Sequence, residues 1–272
     1  MRRALLVVAV LLLAAGCHAR GDAAERRDGV SSGAAQRASD GLPAASADTE
    51  PAPVRGLGAE RFPRPERPVA SIVAPQWSDE DSRDDAGEAR DVLDRLHVAP
   101  GQRVADIGAG SGYYVVKLAD RVGPRGMVYA QDIMPDYLAA LRQRVREEGL
   151  RNVRVITALP HDPQLPAGRV ELALMVHMYH EITAPYALLW NLVPAMTSGA
   201  RVAVLDLERP TAFHGTPIAL LTCEFAAVGY ARDTVYQRSP SEYVAVFRAP
   251  SLAARPTPEQ LSAALTRSPC RP

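Results

Sequence analysis

The sequence predicts a doubly wound α/β domain on a mostly parallel sheet, and three observations lead there. Between residues 77 and 249, short apolar runs alternate with stretches of helical periodicity. One run, Val170 to Val176 (VELALMV), is apolar at nearly every position, as befits a strand covered on both faces. The stretches between runs have the roughly 10–15 residues of helices that return the chain to a parallel neighbour.

The elements follow in order. Ala89, Val92, Leu93 and Leu96 fall at i, i+3, i+4 and i+7, one face of a helix. Pro100-Gly101 ends it, and residues 104–107 (VADI) form a buried strand running into Gly108. Val115, Leu118, Ala119 and Val122 repeat the helical spacing until Gly123-Pro124 stops it. Residues 127–130 make a second strand, closing at Asp132. Leu138, Leu141 and Val145 mark a helix, and residues 152–157 a third strand. After the fourth strand at 170–176, Leu188, Leu189, Leu192, Val193 and Met196 make a helix. A fifth strand covers 201–206, and Ile218, Leu221, Phe225 and Val228 mark another helix. Residues 243–247 are the last strand, preceded by a short one near Val235.

The flanks differ from this domain, expected at 71–250. Arg2 and Arg3 precede an apolar run of 12 residues, then Gly16 and Cys17. The run falls short of the roughly 20 residues a spanning helix needs, and has the parts of a secretory signal peptide. Leu13-Ala14-Ala15-Gly16-Cys17 resembles a lipobox, although Ala14 stands where a larger aliphatic is commoner. Residues 1–17 are therefore expected to direct export, to the periplasm or to a membrane through a lipidated Cys17. Residues 18–70 are expected to be a disordered tether. From 21 to 70 the only aromatic is Phe62, and Ile, Met, Tyr and Trp are absent, too little apolar surface to offset ordering. The proline-rich residues 251–272 are expected to be a flexible tail. With 31 basic and 31 acidic residues the net charge is zero, so no nucleic-acid partner is expected. Three cysteines make no disulfide scaffold. Whether Cys223 and Cys270 pair is left open, since sequence does not set their distance.

Asp106-Ile107-Gly108-Ala109-Gly110-Ser111-Gly112 joins the first strand to its helix. Alternate glycines let a ligand approach backbone where a Cβ would clash, and the helix start offers free N–H groups. Asp132 ends the second strand, 20 residues after Gly112, where an acid accepts from ribose hydroxyls. The dinucleotide fingerprint wants a third glycine or alanine where Tyr113 stands, and no G-x-x-x-x-G-K-[ST] loop exists.

G-x-G-x-G with an acid two residues upstream resembles motif I of class I S-adenosylmethionine-dependent methyltransferases. Gly-Ser-Gly-Tyr-Tyr (110–114) with Val128-Tyr129-Ala130 resembles their protein-isoaspartate branch. Trp77-Ser78, Arg83-Asp84 and His177-Met178-Tyr179-His180-Glu181 look closer still to bacterial exported methyltransferases. The resemblance implies a seven-stranded Rossmann-like sheet with its last strand antiparallel, S-adenosylmethionine as cofactor, and a methyl acceptor of unspecified kind. It places Gly108, Gly110 and Gly112 against the cofactor's methionine part, with Ala109 in the same loop. It sets Asp106 towards the amino group, Asp132 with Ile133 at the ribose, and Asp162 at the adenine amine.

The 177–181 stretch follows the fourth strand at the carboxyl edge, where ligands of such sheets lie. Methyl transfer is an in-line displacement, so the protein positions an acceptor and removes a proton. His180 is the expected base or substrate ligand. Glu181 is expected to orient its imidazole, with His177 and Tyr179 lining the pocket. Asp206, Arg209 and His214 are candidates for the acceptor wall, and Trp77 with Arg83-Asp84 for a lid. His177, His180, Glu181 and His214 have metal-ligand donor atoms, but the spacing is neither H-E-x-x-H nor H-x-x-E-H, so no metal is expected. The competing expectation is a non-catalytic exported protein keeping the fold as a ligand-binding or envelope interaction module.

Overall fold

The computed structural model describes residues 51–72 and 79–272. The signal and lipobox segment, the tether up to residue 50, and Trp77-Ser78 lie outside the described residues.

Seven strands form one sheet: Arg103–Ile107 (β1), Met127–Asp132 (β2), Val153–Thr157 (β3), Val170–Val176 (β4), Met196–Leu207 (β5), Ala231–Ser239 (β6) and Glu242–Arg248 (β7). Their order is β3-β2-β1-β4-β5-β7-β6, parallel from β3 through β5, with β7 antiparallel to both β5 and β6. The helices are Glu80–Asp85 (α1), Glu88–Arg95 (α2), Tyr113–Val122 (α3), Pro135–Glu147 (α4), Pro185–Leu192 (α5), Ile218–Ala227 (α6) and Pro258–Arg267 (α7). The predicted α/β sheet and the implied antiparallel seventh strand are both present.

Pleating explains the apolar run of β4. Leu172 and Leu174 face a core that includes Leu93, Leu96, Val115, Leu118 and Val122. Ala173 and Met175 face the opposite core, with Leu188, Leu189, Leu192, Leu221 and Phe225. A strand alternating between two buried layers favours apolar residues, and its one polar residue, Glu171 near the start, is half-buried and accepts from Arg103 N. Strand order reverses between β1 and β4, so the loops leaving these two carboxyl ends diverge and open a crevice.

Both expected flank boundaries require correction. Residues 51–72 are a strap against the domain rather than part of a disordered tether. Phe62 is buried and packs on Trp190, ring centroids 5.5 Å apart. Asn191 holds Leu57 through both backbone groups, at 2.9 Å each. The strap attaches mainly through hydrogen bonds and one buried arginine, which a count of apolar residues does not register. Residues 251–272 are no loose tail either. Thr257 and Gln260 form a reciprocal capping box at the start of α7, and Leu261, Leu265 and Cys270 are buried. Cys223 in α6 and Cys270 are disulfide-bonded, tying the chain's last segment to the core across 47 residues.

Candidate active site

A cleft of about 740 Å³ lies over the carboxyl edge of the sheet, within the size range of small-molecule sites. Asp106 and Ile107 of β1, Gln131 and Asp132 of β2, Val176 of β4 and Leu207 of β5 form its floor.

The glycine loop makes one wall. Gly108, Gly110 and Gly112 all have positive φ, at 70°, 55° and 98°, which explains the alternating pattern. They do not share one role. Gly108 and Gly110 line the cleft, and a Cβ on Gly110 would meet nothing within 4 Å. Gly112 lies outside the lining and precedes α3, where a Cβ would strike Leu141 Cδ1 at 2.7 Å. Its φ of 98° and the approach of Leu141 both favour glycine there. Its place outside the lining corrects the implied contact.

Asp132 holds the loop open. Its Oδ2 accepts from Gly110 N at 2.9 Å and its Oδ1 from Met134 N at 2.8 Å. Each oxygen keeps a lone pair for a further donor. Asp106 differs: it is buried, and its Oδ2 has no hydrogen-bond partner. Burial, then the charge of nearby Asp132, push its carboxyl up to about 7, with Arg83 opposing. A buried carboxylate oxygen left unpaired beside a cavity wants a cationic donor. Ala109, Ile133, Met134, Tyr137, Leu159 and Pro160 add largely apolar lining.

Asp162 is not at the cleft, which corrects its expected adenine contact. Its buried carboxylate accepts from the backbone N–H of Gly56 and Gln164 and from the Gln164 side chain. It anchors the strap.

The 177–181 segment divides between two environments. After β4 the chain turns through His177, at φ 51°, into a 3₁₀ turn over Tyr179–Glu181. His177, His180 and Glu181 line the cleft and Tyr179 does not, which corrects its assignment as pocket lining. Tyr179 is fully buried, donates to Glu224 Oε2 at 2.8 Å and packs on Phe225. His180 is buried with Nδ1 3.1 Å from both oxygens of Asp206. Asp206, not Glu181, therefore orients the imidazole. Thr216 Oγ1 and Leu207 N donate to the same carboxylate, at 2.7 and 2.8 Å, keeping it an acceptor. His180 is left with Nε2 as its second nitrogen.

The strap supports this turn from behind. Arg67 pairs with Glu224 at 2.9 Å, both side chains fully buried. Its guanidinium also donates to the carbonyls of Tyr179, His180 and Ile182, and Ala70 N donates to His180 O at 3.1 Å.

Arg83 lines the cleft as expected of a lid residue, but it does not pair with Asp84. It donates to Glu88 and lies over the Tyr113 ring, 4.0 Å from its centroid. Asp84 pairs with Lys117 and Tyr113. Glu88, Tyr114 and Glu242 line the cleft and escaped sequence reasoning. Glu88 Oε2 and Glu242 Oε1 stand 3.7 and 3.5 Å from His177 Nε2. Burial tends to raise the Glu88 pKa, but His177 and Arg83 outweigh it and hold it at about 2. A helix-start glutamate is an ordinary N-terminal residue in sequence, so only the fold exposes its role.

Comparison with known proteins agrees with this geometry. Residues 104–199 match a family described as a methyltransferase domain. The chain is 34% identical over 174 residues to protein-L-isoaspartate O-methyltransferase of Aeropyrum pernix, covering 61% of this chain and 60% of that protein. It is 33% identical over 85 residues to aklanonic acid methyltransferase of a Streptomyces species, covering 31% and 39%. The chain thus spans 60% or less of the length of these relatives. Among solved structures, a S-adenosylmethionine-dependent methyltransferase from Aquifex aeolicus has the same fold, with TM-score 0.58 and 23% identity. It covers 62% of this chain and 93% of that one. The orphaned Asp106 oxygen and the glycine cradle fit that cofactor's ammonium and methionine part, and Asp132 fits its ribose. Residues 104–199 thus match a methyltransferase-domain family, within a chain that has the fold of an S-adenosylmethionine-dependent methyltransferase.

Proposed function

We propose that the protein transfers a methyl group from S-adenosylmethionine to a protic acceptor at the His180 edge of the cleft, with His180 assisting loss of the acceptor's proton. The observation that carries this is the pairing of two differently prepared sites in one cleft. On one side stand an unpaired Asp106 oxygen and the Asp132 carboxylate; on the other stands an imidazole held by a buried Asp206. When bound, S-adenosylmethionine supplies a methyl group on a cationic sulfur, ready for displacement. Asp106 binds the amino group as an ionised carboxylate, and Asp132 orients the ribose. Ile133, Met134, Tyr137 and Leu159 offer an apolar wall for a flat base. Asp206 holds His180 in the tautomer with Nδ1 protonated, so Nε2 keeps its lone pair for the acceptor end of the cleft.

In this reading the enzyme is exported and anchored through Cys17. The apolar leader and lipobox-like sequence support it, as does the Cys223–Cys270 disulfide, a bond that persists in oxidising compartments. Release of S-adenosylhomocysteine in the presence of cell-envelope extract tests the activity. The wild type should release it, and His180→Ala should not while still binding cofactor. Equal release by both proteins would refute the assignment. Cys17→Ser should move the protein from the membrane to the soluble fraction; unchanged membrane association would refute lipid anchoring.

A further inference from the structure

We infer that His180, Glu181 and His214 form a binding site for one divalent transition cation, of which zinc is the best match, at the acceptor end of the cleft. This rests on the activity proposed above and deepens it by giving the means by which His180 assists proton loss.

The three residues come from two separate segments. His180 and Glu181 sit on the 3₁₀ turn after β4, and His214 follows a second such turn after β5. One donor atom from each lies within 4.8 Å of the other two, and all three residues line the cleft. Donor atoms around a tetrahedral zinc, with bonds near 2.1 Å, are roughly 3.4 Å apart. Closing the set therefore takes side-chain movements of no more than about 1.4 Å.

Three further observations point the same way. The Nδ1 of His214 is buried with no hydrogen-bond partner, an unmet polar group that a cation would satisfy. His214 also has a left-handed backbone, φ 59°, with Arg209 donating to its carbonyl at 3.1–3.2 Å, so the loop is fixed in this conformation. Behind His180 stands Asp206, bound to Nδ1. A carboxylate on the far nitrogen of an imidazole is the usual outer support of a metal-ligating histidine.

Two imidazoles and one carboxylate, with a fourth position open to the cavity, make the donor set of catalytic rather than structural zinc. An acceptor hydroxyl or thiol at that position would give up its proton to solvent water more readily, because the cation stabilises the alkoxide or thiolate that then takes the methyl group. Sequence reasoning named these donors together with His177 and set a metal aside because their spacing matches neither H-E-x-x-H nor H-x-x-E-H. Folding supplies the third ligand from 33 residues beyond Glu181.

The test uses the untagged full chain, stripped with chelator and titrated with zinc and, separately, cobalt(II). We expect one cation per chain, with submicromolar affinity for zinc and the visible absorption of four-coordinate cobalt. His214→Ala and Glu181→Gln should each weaken binding at least 100-fold, with circular dichroism and S-adenosylhomocysteine affinity unchanged as controls for folding. No stoichiometric uptake, or uptake indifferent to both substitutions, would overturn the inference. If cofactor binds and His180-dependent transfer persists after chelation, the cation site falls and the methyltransferase reading stands. If cofactor does not bind, that reading falls whatever the cation does.

Discussion

Replacing Asp106 by asparagine should stabilise the cofactor-free protein at alkaline pH while weakening its hold on the cofactor. Asp106 is fully buried, one oxygen is unpaired, and its carboxyl is raised from 3.8 to about 7. In the unfolded chain the group ionises near pH 4, whereas in the folded protein it keeps its proton until about pH 7. Between these values the unfolded state binds fewer protons, so stability falls as pH rises, and the full penalty is present above pH 7. Three decades at about 1.36 kcal/mol each set an upper limit of roughly 4 kcal/mol. Relaxation and water entry bring that to about 2 kcal/mol, or ~4–8 °C in a domain of this size. Asparagine has nearly the same shape and no charge. Thermal melts by circular dichroism should therefore show Asp106→Asn above wild type by several degrees at pH 8.5, converging towards pH 4.5. The other titrating groups are common to both proteins and cancel in the difference. Saturating S-adenosylmethionine should reverse the order at pH 8.5, because only the wild type gains an ion pair. An asparagine variant that melts below wild type at pH 8.5 without cofactor would refute the reasoning.

Asp206→Asn should lower kcat on the physiological acceptor about 10- to 100-fold by releasing the His180 imidazole. Cofactor affinity should change little, and an unaffected kcat would remove Asp206 from the mechanism. Glu224→Gln leaves the Arg67 guanidinium buried without a counter-charge and should cost about 3–5 kcal/mol, read as a lower urea midpoint; a loss under about 1 kcal/mol would contradict the buried pair. Joint replacement of Cys223 and Cys270 by alanine opens a loop of 47 residues and should cost roughly 4 kcal/mol on chain-entropy grounds. A melting temperature equal to that of the oxidised wild type would contradict the bond.

The sheet was legible because its signals are local. VELALMV must be buried on both faces, and glycine punctuation marks where each strand yields to its helix. The glycine loop at the cleft was legible for the same reason: Asp106 to Gly112 and Asp132 lie in one strand–helix–strand unit. Four kinds of feature were not. Gly112 and Gly110 look alike in sequence, and only the fold shows that one borders the cleft while the other lies against Leu141. Tyr179 and His180 are neighbours, yet the tight turn sends one into the core and the other into the cleft. The strap and α7 looked flexible by composition because their attachments are an arginine, backbone hydrogen bonds and a disulfide. Asp206 and Glu88 take their roles through His180 and His177, residues distant from them in the chain, which periodicity does not report.

The most direct measurement is calorimetric titration of the full chain and of Asp132→Ala with S-adenosylmethionine at pH 8. One site of micromolar affinity in the wild type, absent in the variant, is the predicted result. No heat of binding in the wild type, or the same affinity in both proteins, would contradict the claim that this cleft holds the methyl donor.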